Sequence, residues 1–258
     1  MPELPEVETI RRAITPQITG SRISGITGSP PTLEPGLTVF WTWIEDRRIE
    51  GTSRHGKYLF AGLDSGSSLV FHLGMTGDLL LVSEDDPVPP YTRAMVSFID
   101  GSRLAFTDPR RFGRLGWVPD RDDVIRVKRL GPDALAIQAE ELAPILQRSR
   151  QKMKFFLLDQ HKLAGIGNIY ADEILFQAGV HPQRVAASLT LDQAARIQPS
   201  MQDILRTAIS LEADFDRYPG SWLIPHRALG ERCPVCSGEV DRVMIAGRYA
   251  YFCPSCQE

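Results

Sequence analysis

Residues 69–82 read Leu69-Val70-Phe71-His72-Leu73-Gly74-Met75-Thr76-Gly77-Asp78-Leu79-Leu80-Leu81-Val82. Two short apolar runs flank a glycine-bounded break, which is the pattern of two strands joined by a turn. Working outward, Leu37–Trp41, Lys57–Phe60, Ala94–Ile99 and Arg103–Phe106 repeat it, punctuated by Gly, Asp and Ser. So many short strands over residues 22–118 predict a sandwich or barrel. Glu84–Pro90, rich in acid and proline, is a loop between them.

The flanks are helical. Over residues 5–18, Val7, Ile10, Ile14 and Ile18 recur at spacings of three and four, with Pro5 suited to the first helical position. Glu6 and Glu8 sit in the first turn, where the helix dipole favours them. Beyond residue 120 the periodicity becomes helical again, over 140–148, 151–160 and from Asn168 towards Gly179. Asn168 is the expected cap of that last helix. Thr190 and Gln193 form a capping box for the next helix, which Pro199 kinks or splits.

The 258-residue chain is 43% hydrophobic and 24% charged, the composition of a soluble globular protein. No apolar run is long enough to cross a membrane, and the acidic start is no secretory signal. A cytoplasmic monomer with no membrane partner is expected. The net charge of −3 argues mildly against a nucleic-acid partner. It hides local bias, because residues 103–130 hold eight Arg/Lys against four Asp, and residues 145–170 hold five against one. Such stretches are either solvated faces or a basic surface for phosphates.

All four cysteines lie near the end. Cys233-Pro234-Val235-Cys236 and Cys253-Pro254-Ser255-Cys256 are separated by 16 residues. That is the spacing of a four-thiolate zinc site on two knuckles, with disulfides or a redox pair as the alternatives. Between them, 239–245 and 248–252 read as a hairpin turning at Gly247. One structural zinc ion is the only cofactor expected.

Removal of Met1 would expose Pro2 as a secondary amine of pKa about 8, partly unprotonated at neutral pH. Such an amine can attack an anomeric carbon and form an iminium. Glu3 beside it can act as general acid or base, and Glu6 is close enough to orient the ring or its substrate. Taken alone, these residues read rather as an acidic start to a helix.

Further motifs change that balance. Pro2–Glu8, Gly56-Lys57-Tyr58-Leu59, His72–Gly77, Asp108-Pro109-Arg110-Arg111-Phe112-Gly113, Gly165–Glu173 and the cysteine hairpin with Arg248 occur in order from residue 2 to residue 256. In these the chain resembles the formamidopyrimidine-DNA glycosylase and endonuclease VIII family, closest to the formamidopyrimidine branch. The resemblance implies an α+β fold. An N-terminal β-sandwich with its N-terminal helix would occupy 1–120, a linker 121–135, a helix-two-turn-helix region 136–225 and a zinc-ribbon hairpin 226–258. It implies a partner, double-stranded DNA with a damaged base or abasic site, lying between the two halves, and a nucleoid-associated bacterial-type enzyme.

Roles follow from the resemblance residue by residue. Pro2 would attack C1′ of the damaged nucleotide and Glu3 would handle protons. Lys57, His72, Asn168 and Arg248 would contact phosphates. Met75, Arg110 and Phe112, with Arg111 beside them, would fill the gap left by a flipped-out nucleotide. Met75 and Phe112 read otherwise as core residues. The chain departs from the formamidopyrimidine pattern over residues 210–232, where base recognition would lie. Trp222, His226 and Arg227 there either contact a base or pack against the finger. The expected activity is a bifunctional glycosylase and abasic-site lyase with β/δ-elimination. The alternative is a non-catalytic binder of damaged DNA.

Overall fold

The computed structural model describes residues 2–28 and 43–258. The expected strand at 37–41 lies outside them. The chain forms two compact units, one holding Pro2 and Glu6–Arg129, the other Glu3–Pro5 and Leu130–Glu258. Among the described residues no helix is long and apolar enough to cross a membrane.

In the first unit, α1 (Leu4–Ile18) leads into eight strands. These are β1 (Ile23–Gly28), β2 (Ile49–His55), β3 (Tyr58–Leu63), β4 (Ser68–His72), β5 (Asp78–Val82), β6 (Thr92–Phe98), β7 (Arg103–Thr107) and β8 (Arg114–Val118). They pair antiparallel into two sheets, ordered β1-β6-β7-β5 and β2-β3-β4-β8. One apolar cluster draws Phe71 and Leu115 from one sheet, Phe98 and Phe106 from the other, and Val7, Ile14 and Ile18 from α1. Phe71 and Phe106 meet edge to face at 6.1 Å, so the two sheets share one core as a sandwich. Three of the four predicted apolar positions of α1 are buried, and Ile10 is partly so. The helix begins at Leu4, which places Pro5 second in it.

Residues 121–135, read above as a linker, contain α2 (Arg121–Val127). Its start is signalled by Asp120, whose side chain accepts the Asp122 N–H, and by acids in the first turn. Val124 alone is buried, against Phe60, Val70 and Val118, so apolar periodicity was too weak to reveal it.

The second unit packs α3 (Ala139–Gln147), α4 (Met153–Leu158), α5 (Asn168–Ala178) and α6 (Leu191–Ser210) around one apolar core, which also holds Leu4. α5 is buried on nearly every side and stops at Gly179, whose φ of 67° suits a residue without Cβ. The Thr190–Gln193 capping box is present. Pro199 neither splits nor ends α6. Ile197, Met201, Ile204, Leu205 and Ala208 continue one buried face through it, and their packing outweighs the lost hydrogen bond. The hairpin β9 (Asp241–Ile245) and β10 (Arg248–Phe252) turns at Ala246 and Gly247, both at positive φ.

Candidate functional site

Glu3 is the most constrained of the expected catalytic residues. It is 1% exposed, and its carboxylate accepts the N–H groups of Gly167 at 2.7 Å, Ile169 at 3.0 Å and Tyr170 at 3.4 Å. These are the free donors at the start of α5, where a helix offers unsatisfied N–H groups and a positive dipole end. The glycines of Gly165-Ile166-Gly167 make room for it. A Cβ on Gly167 would lie 2.2 Å from the Glu3 Cδ, and one on Gly165 would lie 2.5 Å from the Leu4 Cδ1. Leu4 N–H donates to the Gly165 carbonyl at 3.0 Å, which locks the register of the contact.

Asn168 is not the cap. Gly167 occupies that position, and Asn168 is the first residue of α5 with its side-chain Oδ1 buried and unpartnered. Its carbonyl accepts from Lys154 Nζ at 2.5 Å. Lys154 and Asp172 are both fully buried and pair at 2.7 Å, and Arg227 Nε reaches the other Asp172 oxygen at 2.8 Å. Burial pushes the Lys154 ammonium down in pKa while Asp172 resists. Arg227 also stacks on Tyr251 of β10 at 4.7 Å. This network behind Glu3 was missed from sequence, because Lys154 sits in Met153-Lys154-Phe155-Phe156-Leu157-Leu158 like any solvated cation on a short helix.

In the first unit, Pro2 is half-buried and Glu6 lies half-buried in the first turn of α1. Because α1 begins at Leu4, only Glu6 of the two acids falls in its first turn, and Glu8 is instead an ion-pair centre. It binds Arg11 at 2.7 Å, Arg12 at 2.8 Å and Arg54 at 3.3 Å. Burial pulls its carboxyl upward, but the Arg11 and Arg12 hydrogen bonds and the Arg11 and Arg54 charges prevail and hold it at about 2.

Sheet register assembles a basic edge. His72 pairs with Tyr58 on β3 and with Arg114 on β8, and Lys57 lies in the β2–β3 turn beside Tyr58. Burial, with the charges of Lys57, Arg114 and Lys128, lowers the His72 pKa to about 4. The ring is therefore neutral at physiological pH. Its Nδ1 accepts the Gly74 N–H at 3.2 Å, which leaves the proton on Nε2 as a donor. Arg114 and Lys128 escaped sequence reading because only strand pairing and α2 bring them here.

Two turns carry the residues expected to enter a helix. Met75 is 37% and Phe112 50% exposed, so neither is a core residue. Arg110, also exposed, lies over the Phe112 ring at 5.2 Å. Arg111 adopts φ of 60° to turn the chain between them.

The four cysteines converge with all their sulfurs within 4.8 Å of one another. Cys233–Cys256 is 3.8 Å and Cys236–Cys253 is 3.4 Å. A tetrahedron of thiolates about 2.3 Å from zinc has edges of about 3.8 Å, so the donor set fits one structural zinc and not two disulfides. Cys233, Cys253 and Val240 pack on Phe176 and Leu223, which docks the hairpin on α5. Arg248 opens β10 and is exposed.

Several side chains of the departing segment, residues 210–232, are tied down. Trp222 is buried against Tyr218, whose hydroxyl bonds that of Tyr170. Ile224 N–H donates to Glu173 at 2.8 Å, and burial pushes that carboxyl up to about 7. His226 bonds the Gly220 carbonyl at 3.1 Å. Trp222 packs in the helical core rather than on the finger, and Arg227 lies against Tyr251 of the finger. A cavity of about 560 Å³ remains, lined by Ile169, Phe215, Tyr218, Ile224, Pro225 and Arg227 among others.

Comparison with known proteins spans the whole chain. The formamidopyrimidine-DNA glycosylase N-terminal domain matches residues 1–115, the formamidopyrimidine-DNA glycosylase H2TH domain residues 130–217, and a zinc finger found in FPG and IleRS residues 230–258. Formamidopyrimidine-DNA glycosylase of Thermus thermophilus is 38% identical over 273 residues, covering 100% of this chain and 98% of that protein. That of Pelotomaculum thermopropionicum is 35% identical over 274 residues, covering 100% and 99%. Among solved structures, the Lactococcus lactis protein in complex with abasic-site DNA superposes with a TM-score of 0.86 at 31% identity over 99% of both chains. An inhibited form of that protein, bound to DNA containing N7-benzyl-Fapy-dG, gives 0.87 at 31% identity over 100% of both.

Proposed function

Since this chain belongs to the formamidopyrimidine-DNA glycosylase family, we propose that it excises damaged bases from double-stranded DNA and then cleaves the abasic strand, with the Pro2 nitrogen as nucleophile. The observation that carries this reading is the seat of Glu3, the residue next to Pro2, on three backbone N–H groups of α5.

Once Met1 is removed, the Pro2 lone pair attacks C1′ and the glycosidic bond breaks, the base taking a proton from water as it leaves and the Glu3 carboxylate taking the proton displaced from the Pro2 nitrogen. The C1′–O4′ bond then opens as Glu3 protonates O4′, and the nitrogen lone pair forms the iminium. The iminium acidifies the C2′ hydrogens. Loss of one expels the 3′ phosphate by β-elimination, and loss of the C4′ hydrogen expels the 5′ phosphate. Hydrolysis of the iminium frees Pro2 and leaves a one-nucleotide gap. Glu6 orients the ring or its substrate.

Lys57, Arg248, the Nε2–H of neutral His72 and Asn168 at the N-terminus of α5 bind flanking phosphates. Met75 and Phe112 fill the vacated stack, with Arg111 at the turn, and the Arg110 fork reads the orphaned base. The zinc ion supplies no chemistry. Its four thiolates stabilise the hairpin that presents Arg248. The division of labour is a catalytic sandwich over 1–120, a connecting segment over 121–135, a DNA-binding helical region over 136–225 and the finger over 226–258, in a cytoplasmic, nucleoid-associated monomer.

The test uses duplexes carrying 8-oxoguanine, dihydrouracil or an abasic site. Base release from at least one lesion and incision of the abasic strand are expected, and Pro2→Gly loses both. Tight binding with no incision on any duplex would overturn the reading in favour of a damage binder.

A further inference from the structure

Two of the connections between the sheets of the sandwich lie close together. Residues 73–77 lead from β4 to β5, and residues 108–113 lead from β7 to β8. Because His72 pairs with Arg114 and Asp78 with Thr107, both cross at the same end of the sandwich, side by side. One carries Met75, the other Arg110 and Phe112.

Asp108 lies where they meet. It is 0% exposed. Its Oδ1 accepts the Thr76 hydroxyl at 2.6 Å and the Arg110 N–H at 3.2 Å, and its Oδ2 accepts the Gly113 N–H at 2.6 Å. The Thr76 oxygen also accepts from Arg110 N–H at 3.3 Å. Arg93 clamps the adjoining backbone, donating to the carbonyls of Asp108 at 2.7 Å and Pro109 at 3.3 Å. Backbone contact completes the join, since a Cβ on Gly74 would lie 2.5 Å from the Phe112 carbonyl carbon. Burying a carboxylate is costly unless its hydrogen bonds are met. Here both oxygens are met, Oδ1 by both turns and Oδ2 by the Gly113 N–H of its own turn, so the group stays and holds the turns together.

We propose that Asp108, through Thr76, is the positioning residue that welds the two turns into one rigid wedge, so that Met75 and Phe112 enter the DNA stack as a unit. The proposal rests on the reading of those two side chains as gap fillers. The physical need is plain. An exposed methionine and phenylalanine on separate loops would fold back on the protein when pressed against stacked bases. Cross-linked turns transmit the thrust to the sandwich instead. Asp108 touches no reacting atom and acts only through the wedge.

The test separates wedge insertion from chemistry. A duplex with a non-cleavable tetrahydrofuran site and 2-aminopurine opposite it reports insertion as a fluorescence change. Single-turnover incision is measured on a duplex lesion and on a single-stranded abasic oligonucleotide, which has no stack to enter. Asp108→Asn places an amide against N–H donors. It should abolish most of the fluorescence change and slow duplex excision about 10- to 100-fold, while single-stranded incision stays within about twofold. Thr76→Val should do the same more mildly and Thr76→Ser should restore wild-type behaviour. Thr76→Val decides the matter if Asp108→Asn does not fold. Unchanged fluorescence and duplex rates in both variants would overturn the proposal, as would equal loss on single strands. Absence of incision by the wild type would count against the lyase reading instead, because the fluorescence comparison does not depend on chemistry.

Discussion

Replacing Gly167 with alanine should silence the enzyme without distorting its backbone. Gly167 has φ of −125° and ψ of −162°, which alanine adopts freely, so any defect must come from the added methyl group. That methyl would sit 2.2 Å from the Glu3 Cδ and 2.4 Å from Oε1, against an ordinary contact limit of 3.4 Å. The carboxylate must therefore retreat by roughly 1.2 Å, the difference between 3.4 and 2.2 Å. It then loses the 2.7 Å bond from Gly167 N–H and weakens those from Ile169 and Tyr170. A misplacement of about 1 Å costs on the order of 10²-fold, and loss of general acid–base help costs about 10²- to 10⁴-fold. Overpacking should also lower stability by about 1–3 kcal/mol. The assay is single-turnover base excision, with thermal unfolding measured alongside. Gly51→Ala, where a methyl group meets nothing within 4 Å, is the control and should be neutral. Excision by Gly167→Ala within about threefold of wild type would refute the claim that Glu3 works from this seat.

Other consequences follow from the same structure. Asp172→Asn strands the fully buried Lys154 beside an amide and unpairs Arg227, so urea unfolding should show a loss of about 3–5 kcal/mol. His72 has a folded pKa of about 4 against 6.5 for the free group. The unfolded chain takes up that proton first as pH falls, so its contribution is complete above pH 6.5 and is lost towards pH 4. The loss reaches at most about 3 kcal/mol, and His72→Gln should lack it in a pH series of unfolding curves. Glu8, held at about 2, begins to add its own loss only below about pH 4.5. Zinc removal by a chelator should unfold the hairpin that packs on Phe176 and Leu223, lowering the melting temperature and abolishing DNA binding in a mobility-shift assay.

Local rules carried much of the fold. The strand runs within the described residues, the buried face of α1, the Thr190 capping box and the cysteine knuckles are encoded over a few residues, and each stands where its sequence pattern placed it. The misses have physical causes. α2 is short and charged, with one buried residue, so periodicity said little. Asn168 has the chemistry of a cap, but only a glycine leaves space for Glu3 at the position before it. For the candidate site, motif resemblance singled out which residues to consider, whereas nothing local pointed to their supporting groups. Arg114 and Lys128 meet His72 through strand register and α2. Thr76 meets Asp108 where two inter-sheet turns run side by side, and Lys154 is buried by helices distant in sequence. No local pattern marks a polar side chain whose partner lies 18 or 32 residues away.

The proposed reaction turns on a bond between the Pro2 nitrogen and C1′. The most direct measurement is borohydride reduction of the protein on abasic duplex DNA, followed by nuclease and trypsin digestion and mass spectrometry. Met1 should be absent and the sugar remnant should be carried by the peptide Pro2–Arg11 on its N-terminal nitrogen. A reduced adduct on a lysine, or strand cleavage with Met1 still in place, would contradict it.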